Sequence, residues 1–185
     1  MEKFLRVGPR VWLYRALVLG VIAFTVVSFT MPWWTVDVKV GNNWTGVQIY
    51  GFGLRHNLVN LAEYLAEDET PFYQTALAWG FVGLVSIAFL WSIFIKGWKG
   101  RLLIGTAGLA YAAYAAVAVF FVVANRVGHF NIAFLGWSTD VYDQIQTIDV
   151  TYFASIDKGY YLANAAAGLA IILAIMRTVI DGQKK

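Results

Sequence analysis

Four separate stretches of this chain contain no Asp, Glu, Lys, Arg or His: Ala16–Trp34, Phe72–Ile95, Leu102–Asn125 and Gly159–Met176. Each has about 18 residues or more, enough at 1.5 Å per residue to cross a hydrocarbon core of roughly 30 Å. A backbone in lipid must pair its polar groups internally, so each window is expected to be a helix. Composition agrees, with 59% hydrophobic and 14% charged residues, where soluble domains carry about a quarter charged. The expected fold class is an all-α membrane protein, a four-transmembrane-helix bundle forming a single membrane domain over 1–185. The helices are expected at about 12–34, 72–95, 102–125 and 159–180, with outer loops at 35–71 and 126–158. Lys3, Arg6 and Arg10 precede the first window. Its apolar run is too long for a signal-peptide core and ends in Pro32-Trp33-Trp34 with no Ala-x-Ala site, so it is expected to be retained.

Charge assigns the sides. The N-terminus, the Lys96–Arg101 turn and the C-terminal tail hold ten basic residues against Glu2 and Asp181. The two long loops hold four basic residues and nine acidic ones. The positive-inside rule then puts both termini in the cytoplasm and both long loops outside, as in a multi-pass protein of the cell (plasma) membrane. Arg15 lies at the rim of the first helix, where its stem can snorkel to the interface. Trp12, Trp91 and Trp98 near one face, and Trp33, Trp34, Tyr73, Tyr160 and Tyr161 near the other, read as interfacial belts. The six-residue connection KGWKGR makes the second and third helices an antiparallel hairpin. Gly105, Ala107, Gly108 and further alanines on the third helix, with Ala163, Ala165–Ala167, Gly168 and Ala170 on the fourth, are small enough to let helix backbones approach. These faces are expected to close the bundle on itself, with a homo-oligomeric seam as the less favoured alternative.

The outer loops carry their own pattern. Trp34, Val36, Val38 and Val40 alternate with Thr35, Asp37 and Lys39, a strand period. Gly41-Asn42-Asn43 tolerates a turn, and Trp44–Tyr50 returns as the partner of a hairpin. Gly51 and Gly53 are expected to end it. Leu54, Leu58, Leu61 and Leu65 then recur at helical spacing, which predicts a short helix on the sheet or membrane surface. Thr70-Pro71 reads as the cap and first turn of the second membrane helix. In the second loop, Phe130–Leu135 and Thr147–Tyr152 are expected strands. Neither loop could bury much apolar surface alone, so both are expected to share one small extracytoplasmic sheet.

This order of parts resembles the superfamily of claudins, PMP22 and epithelial membrane proteins. Pro32-Trp33-Trp34 stands where that family has its leading Trp. Tyr50-Gly51-Phe52-Gly53-Leu54-Arg55 stands at its Gly-Leu-Trp motif, with Arg55 in place of the final Trp. The family's loop cysteine pair is absent, since the chain has no Cys. The resemblance implies four transmembrane helices, cytoplasmic termini and a first outer loop built from a hairpin and a short helix.

Chemistry in the windows is sparse. His56 and His129 both lie outside them, so helix-held haem has no axial pair, and thiolate metal sites and nucleophiles are missing. His129 with Asp140 and Asp143 could form a weak oxygen-rich site, but the spacing fits no calcium loop and a solvated acidic loop is favoured. Gly51-Phe52-Gly53 lacks the third glycine of a phosphate-binding loop. No paired carboxylates or Lys mark an ion path. Asp157 and Lys158 are expected to cap the fourth helix. Asn43-Trp44-Thr45 is a glycosylation sequon, making Asn43 a candidate acceptor. Trp33, Trp34, Trp44, Gly53, Leu54 and Arg55 are the structural or interaction candidates, with packing of the sheet onto the membrane rim set against partner binding for the tryptophans. The function expected is a non-enzymatic membrane scaffold or adhesion-type protein. It would have no cofactor, metal or nucleic acid, and would meet the bilayer and, through its outer loops, other membrane proteins or itself. The alternative is an accessory, cofactor-free subunit of a membrane enzyme complex such as a respiratory or oxidase assembly.

Overall fold

The computed structural model describes residues 9–40, 43–56, 70–126, 135–142 and 148–182. In chain order the elements are α1 (Pro9–Thr30), β1 (Pro32–Val40), β2 (Asn43–Tyr50), β3 (Gly53–His56), α2 (Phe72–Ser92), α3 (Trp98–Arg126), β4 (Gly136–Tyr142), β5 (Ile148–Ile156) and α4 (Lys158–Gly182). All four helices are long and apolar enough to cross a membrane.

Several helix boundaries differ from expectation. α1 stops at Thr30 rather than running to Trp34. Pro32 lacks an N–H and pushes Met31 out of the helical region, so the chain bends there and Trp33 and Trp34 enter β1. The second helix stops at Ser92, short of Ile95; bonds from Ile93 N to Leu90 O and from Phe94 N to Trp91 O tighten its last turn. Gly97, at φ +71°, then leads into α3, which starts at Trp98 ahead of the expected 102. At α2 the capping carbonyl is that of Pro71, which accepts from Gln74 N (3.0 Å) and Thr75 N (3.2 Å); the cap thus sits one residue beyond Thr70.

Contacts divide the chain into two compact units. The first takes the described residues up to Val27, Gly80–Tyr114 and those from Leu162 on. Its interior is four stripes at helical spacing: Tyr14, Val18, Val21 and Thr25; Val82, Val85, Phe89 and Ser92; Ile104, Ala107 and Tyr111; Ala163, Ala166, Ala167, Ala170, Leu173, Ala174 and Arg177. α3 meets α4 through small residues. A Cβ added at Gly108 would lie 2.9 Å from that of Ala170, and one at Gly105 would lie 3.4 Å from that of Ala174. Ala110, Ala113 and Ala165, counted in the same small faces by sequence, point outward. Two polar side chains inside find backbone acceptors: Thr25 Oγ1 donates to Val21 O (2.9 Å), and Tyr111 OH donates to Thr25 O (3.2 Å). Large apolar side chains cover the outside of the same helices, Leu84 at 68% exposure and Ile175 at 66% among them.

The second unit takes Ser28–Trp79 and Ala115–Tyr161. It holds a five-stranded antiparallel sheet in the order β3-β2-β1-β5-β4, so the two loops do share one sheet. β1 is central, with Val36 opposite both Val47 and Ala154. Trp34, Val36, Val47, Ile49, Tyr152 and Ala154 form its buried face. Three expectations change here. The hairpin of β1 and β2 does end at Tyr50, before Gly51, but Gly53 opens a further strand: after the Gly51-Phe52 turn the chain re-enters the sheet as β3. Leu54 therefore lies in a strand, opposite Ile49, and does not start a helical stripe. Pairing with β2 meets the backbone's need for partners, which outweighs a leucine spacing of weak intrinsic preference. The third change is in the second loop, where β4 runs over Gly136–Tyr142, a stretch not expected to be a strand. Gly136, at φ +93°, makes the entry that other side chains resist. Residues 57–69, where the short helix is expected, and most of Phe130–Leu135 lie outside the described residues.

Candidate functional site

Trp33 organises the second unit. Pro32 pairs with Tyr50 while Trp34 pairs with Ile49, so Trp33 is the extra residue of a bulge. Successive strand residues normally face opposite sides. The bulge, with helix ends at its back, lets both Trp33 and Trp34 be fully buried. The Trp33 indole Nε1 donates to Ser28 O at 2.7 Å, and its ring meets Phe29 and Tyr160 edge-on at 5.9 and 6.3 Å. Two glycines make the room. A Cβ at Gly51 would stand 2.5 Å from the Phe29 ring and 2.6 Å from that of Trp33; one at Gly159 would stand 2.5 Å from Trp33 Cδ1. Both tryptophans thus serve packing, and neither offers a surface to a partner.

Asp157 fastens β1 to α4. Its N–H donates to Trp33 O (2.9 Å), and its carboxylate accepts from Thr35 Oγ1 (2.9 Å) and from Lys158 N (2.7 Å). The capping role expected of Asp157 is present, with a strand hydroxyl added to it. Nearby, Phe52 stacks on Tyr50 (5.0 Å) and Trp79 (6.0 Å), and Trp79 meets Phe29 at 5.0 Å. Arg55 is exposed on β3 with its guanidinium 5.1 Å over the Phe52 ring. Gly53 holds φ +138°, and a Cβ there would run into Thr70.

The face opposite the buried one carries a polar row. Arg55, Gln48, Thr35 and Ser155 stand in register across four strands. Asp37 and Lys39 follow along β1, both exposed. Tyr50 OH donates to Gln48 Oε1 at 2.7 Å. Such a row can hydrogen-bond and ion-pair with another surface. Trp44 sits opposite Lys39, and Asn43 opposite Val40, where β2 begins. His129 and Asp143 lie outside the described residues, while Asp140 is on β4. Among the described residues no three His, Asp or Glu come together in a way that could hold a metal ion.

In the first unit the centre is Arg177, only 5% exposed on α4. Its guanidinium donates to Tyr14 OH (2.9 Å), to Ser92 O and to Ile95 O, and lies 5.1 Å over the Tyr14 ring. The last carbonyls of a helix lack intrahelical donors, so Arg177 caps α2 from another helix. In the sequence Arg177 stands out only as one of the basic residues of the C-terminal tail. A signal for its role is present in the neighbouring Gly100, the one small residue between Lys99 and Arg101: a Cβ there would lie 2.8 Å from the guanidinium carbon. No known family model matches this sequence, and no curated protein does.

Proposed function

We propose that this protein is a multi-pass scaffold of the cell membrane that acts without catalysis, joining another membrane protein, or a second copy of itself, through the polar face of its sheet. The four helices cross the bilayer, both termini lie in the cytoplasm, and the sheet lies outside. The observation that carries the reading is the sheet itself. Two separate loops are committed to one packed layer, and its second face carries Arg55, Gln48, Thr35, Asp37 and Lys39, half-buried or exposed. A layer held by a wedged Trp33 and a capped Asp157 is a rigid support, which lowers the ordering cost of docking. The likeness of plan to the claudin superfamily supports the same use of the outer loops.

The test is a photo-crosslinking side chain at Gln48, with Leu84 as the lipid-facing control. Crosslinks from Gln48 to one defined protein, or to a second copy, support the scaffold. Stoichiometric co-purification with haem- or metal-bearing subunits that crosslink from the helices, with none from Gln48, would replace it by the accessory-subunit reading. Sidedness is checked by Asp37→Cys and Lys99→Cys, the chain being otherwise Cys-free. An impermeant maleimide should label the first in intact cells and leave the second unlabelled.

A further inference from the structure

We propose that the first unit carries a binding site for the phosphate headgroups of anionic lipids, with Arg15, Lys96 and Lys99 as the contacting cations. It rests on the membrane-spanning reading of the helices. The site is organised by a cation that is itself already committed: the buried Arg177 guanidinium, held by oxygens of Tyr14, Ser92 and Ile95. Three of the points it touches each adjoin one of the three cations in sequence. Tyr14 precedes Arg15, Ile95 precedes Lys96, and Lys99 precedes the Gly100 that packs on the guanidinium. Segments far apart in sequence are thereby gathered around one fixed charge.

Lys96 and Lys99 are exposed. Arg15 is half-buried, with its guanidinium 5.7 Å over the Trp12 ring. Its Nε is buried and has no hydrogen-bond partner among the described residues. The sequence segments of this unit hold ten basic residues and two acidic ones, a net of +8. Around the cations stand exposed apolar groups: Trp12, Trp91 and Trp98 (61% exposed), with Phe94 and Leu102. A phosphate above acyl chains satisfies both classes at once. An acidic protein or a nucleic acid would answer the charges and leave the indoles, Phe94 and Leu102 uncovered, so lipid is the occupant.

The experiment is a lipid competition on the full-length protein. It is reconstituted in nanodiscs of equal parts phosphatidylcholine and phosphatidylglycerol, and the lipids retained after extraction into detergent are counted by native mass spectrometry. Wild type should retain phosphatidylglycerol over phosphatidylcholine. Lys96→Gln and Lys99→Gln, both at exposed positions that leave the fold intact, should each lower that preference by about fivefold, the equivalent of ~1 kcal/mol per basic residue at an anionic surface. Arg15→Gln should lower it at least as much, and Lys39→Gln should leave it unchanged. Equal retention of both lipids by wild type, or an undiminished preference in the Lys96→Gln/Lys99→Gln double variant, would overturn the proposal. So would inorganic phosphate displacing phosphatidylglycerol at matched concentration, since the site would then be for the free ion. Carbonate extraction keeps the two readings apart. Release of the protein from membranes sinks the membrane-spanning reading, whereas retention without lipid preference sinks only this site.

Discussion

Where α3 meets α4 the first unit packs alanine against glycine, while the second packs tryptophan and phenylalanine against glycine. In the first, close backbone approach at Gly108 and Ala170 brings helices together without large side chains between them, the usual means where lipid removes the hydrophobic drive. In the second, a single indole fills a space that two absent side chains vacate, at Gly51 and Gly159. Charge divides along the same line. The segments of the first unit carry a net of +8, from ten basic and two acidic residues; those of the second carry −5, from four and nine. The units are defined by contacts alone, so their agreement with the charge asymmetry comes from an independent source. One interior is tuned by backbone distance and the other by the shape of a few rings, and the two should fail differently.

The largest effect is expected at Trp33. Trp33→Ala opens a cavity worth ~3–5 kcal/mol. Hydrogen exchange should show lost protection in β1, β2 and β5, with the α1 residues before Val27 still protected. Equal loss in both sets would mean that the units are not separable in stability. Next comes Gly108→Leu, where overpacking against Ala170 should cost ~1–3 kcal/mol. The thermal midpoint in detergent should fall while protease resistance of the sheet stays, and adding Ala170→Gly should recover part of the loss. Gly53→Ala forces a side chain into a left-handed backbone, about 1–2 kcal/mol, and against Thr70 besides. Limited proteolysis should then cut after β3 sooner, and an unchanged cleavage rate would show that β3 is held by something other than its turn. The smallest effect belongs to Arg55→Ala, because an exposed cation over a ring contributes little; the unfolding midpoint should barely move. A large shift would reveal Arg55 as part of the interior of its unit.

The sequence exposes the helices clearly because uncharged runs leave no alternative backbone in lipid. It exposes the hairpin because Val36, Val38 and Val40 alternate with polar residues. Leu54 misleads for a physical reason. Four leucines at helical spacing describe one face of a helix, but a strand edge with open N–H and C=O groups competes for the same residues, and pairing with Ile49 wins at Leu54. Trp33 is legible as an aromatic at a boundary, yet the bulge that turns it inward depends on the Pro32–Tyr50 register. Asp157 is legible as a cap, since capping is local; its bond to Thr35 is not, because nothing near either residue marks the other. Arg177 is hidden for the same reason, as its partners lie on two other helices.

The link between Thr35 and Asp157 also has a consequence in time. Its two ends are 122 residues apart. β2 follows β1 at once, so a growing chain can form that pairing early. The other edge of β1 must wait for β5, after α2 and α3 have both been made. Until then the central strand of the finished sheet is an edge strand, with open amides and carbonyls, and pairing over such separations is slow. The Thr35 hydroxyl reaching Asp157 therefore marks the moment the second edge of β1 is closed, with α4 still to follow. A chain halted after Asn125 should exchange the β5-facing amides of β1 freely while those facing β2 stay protected.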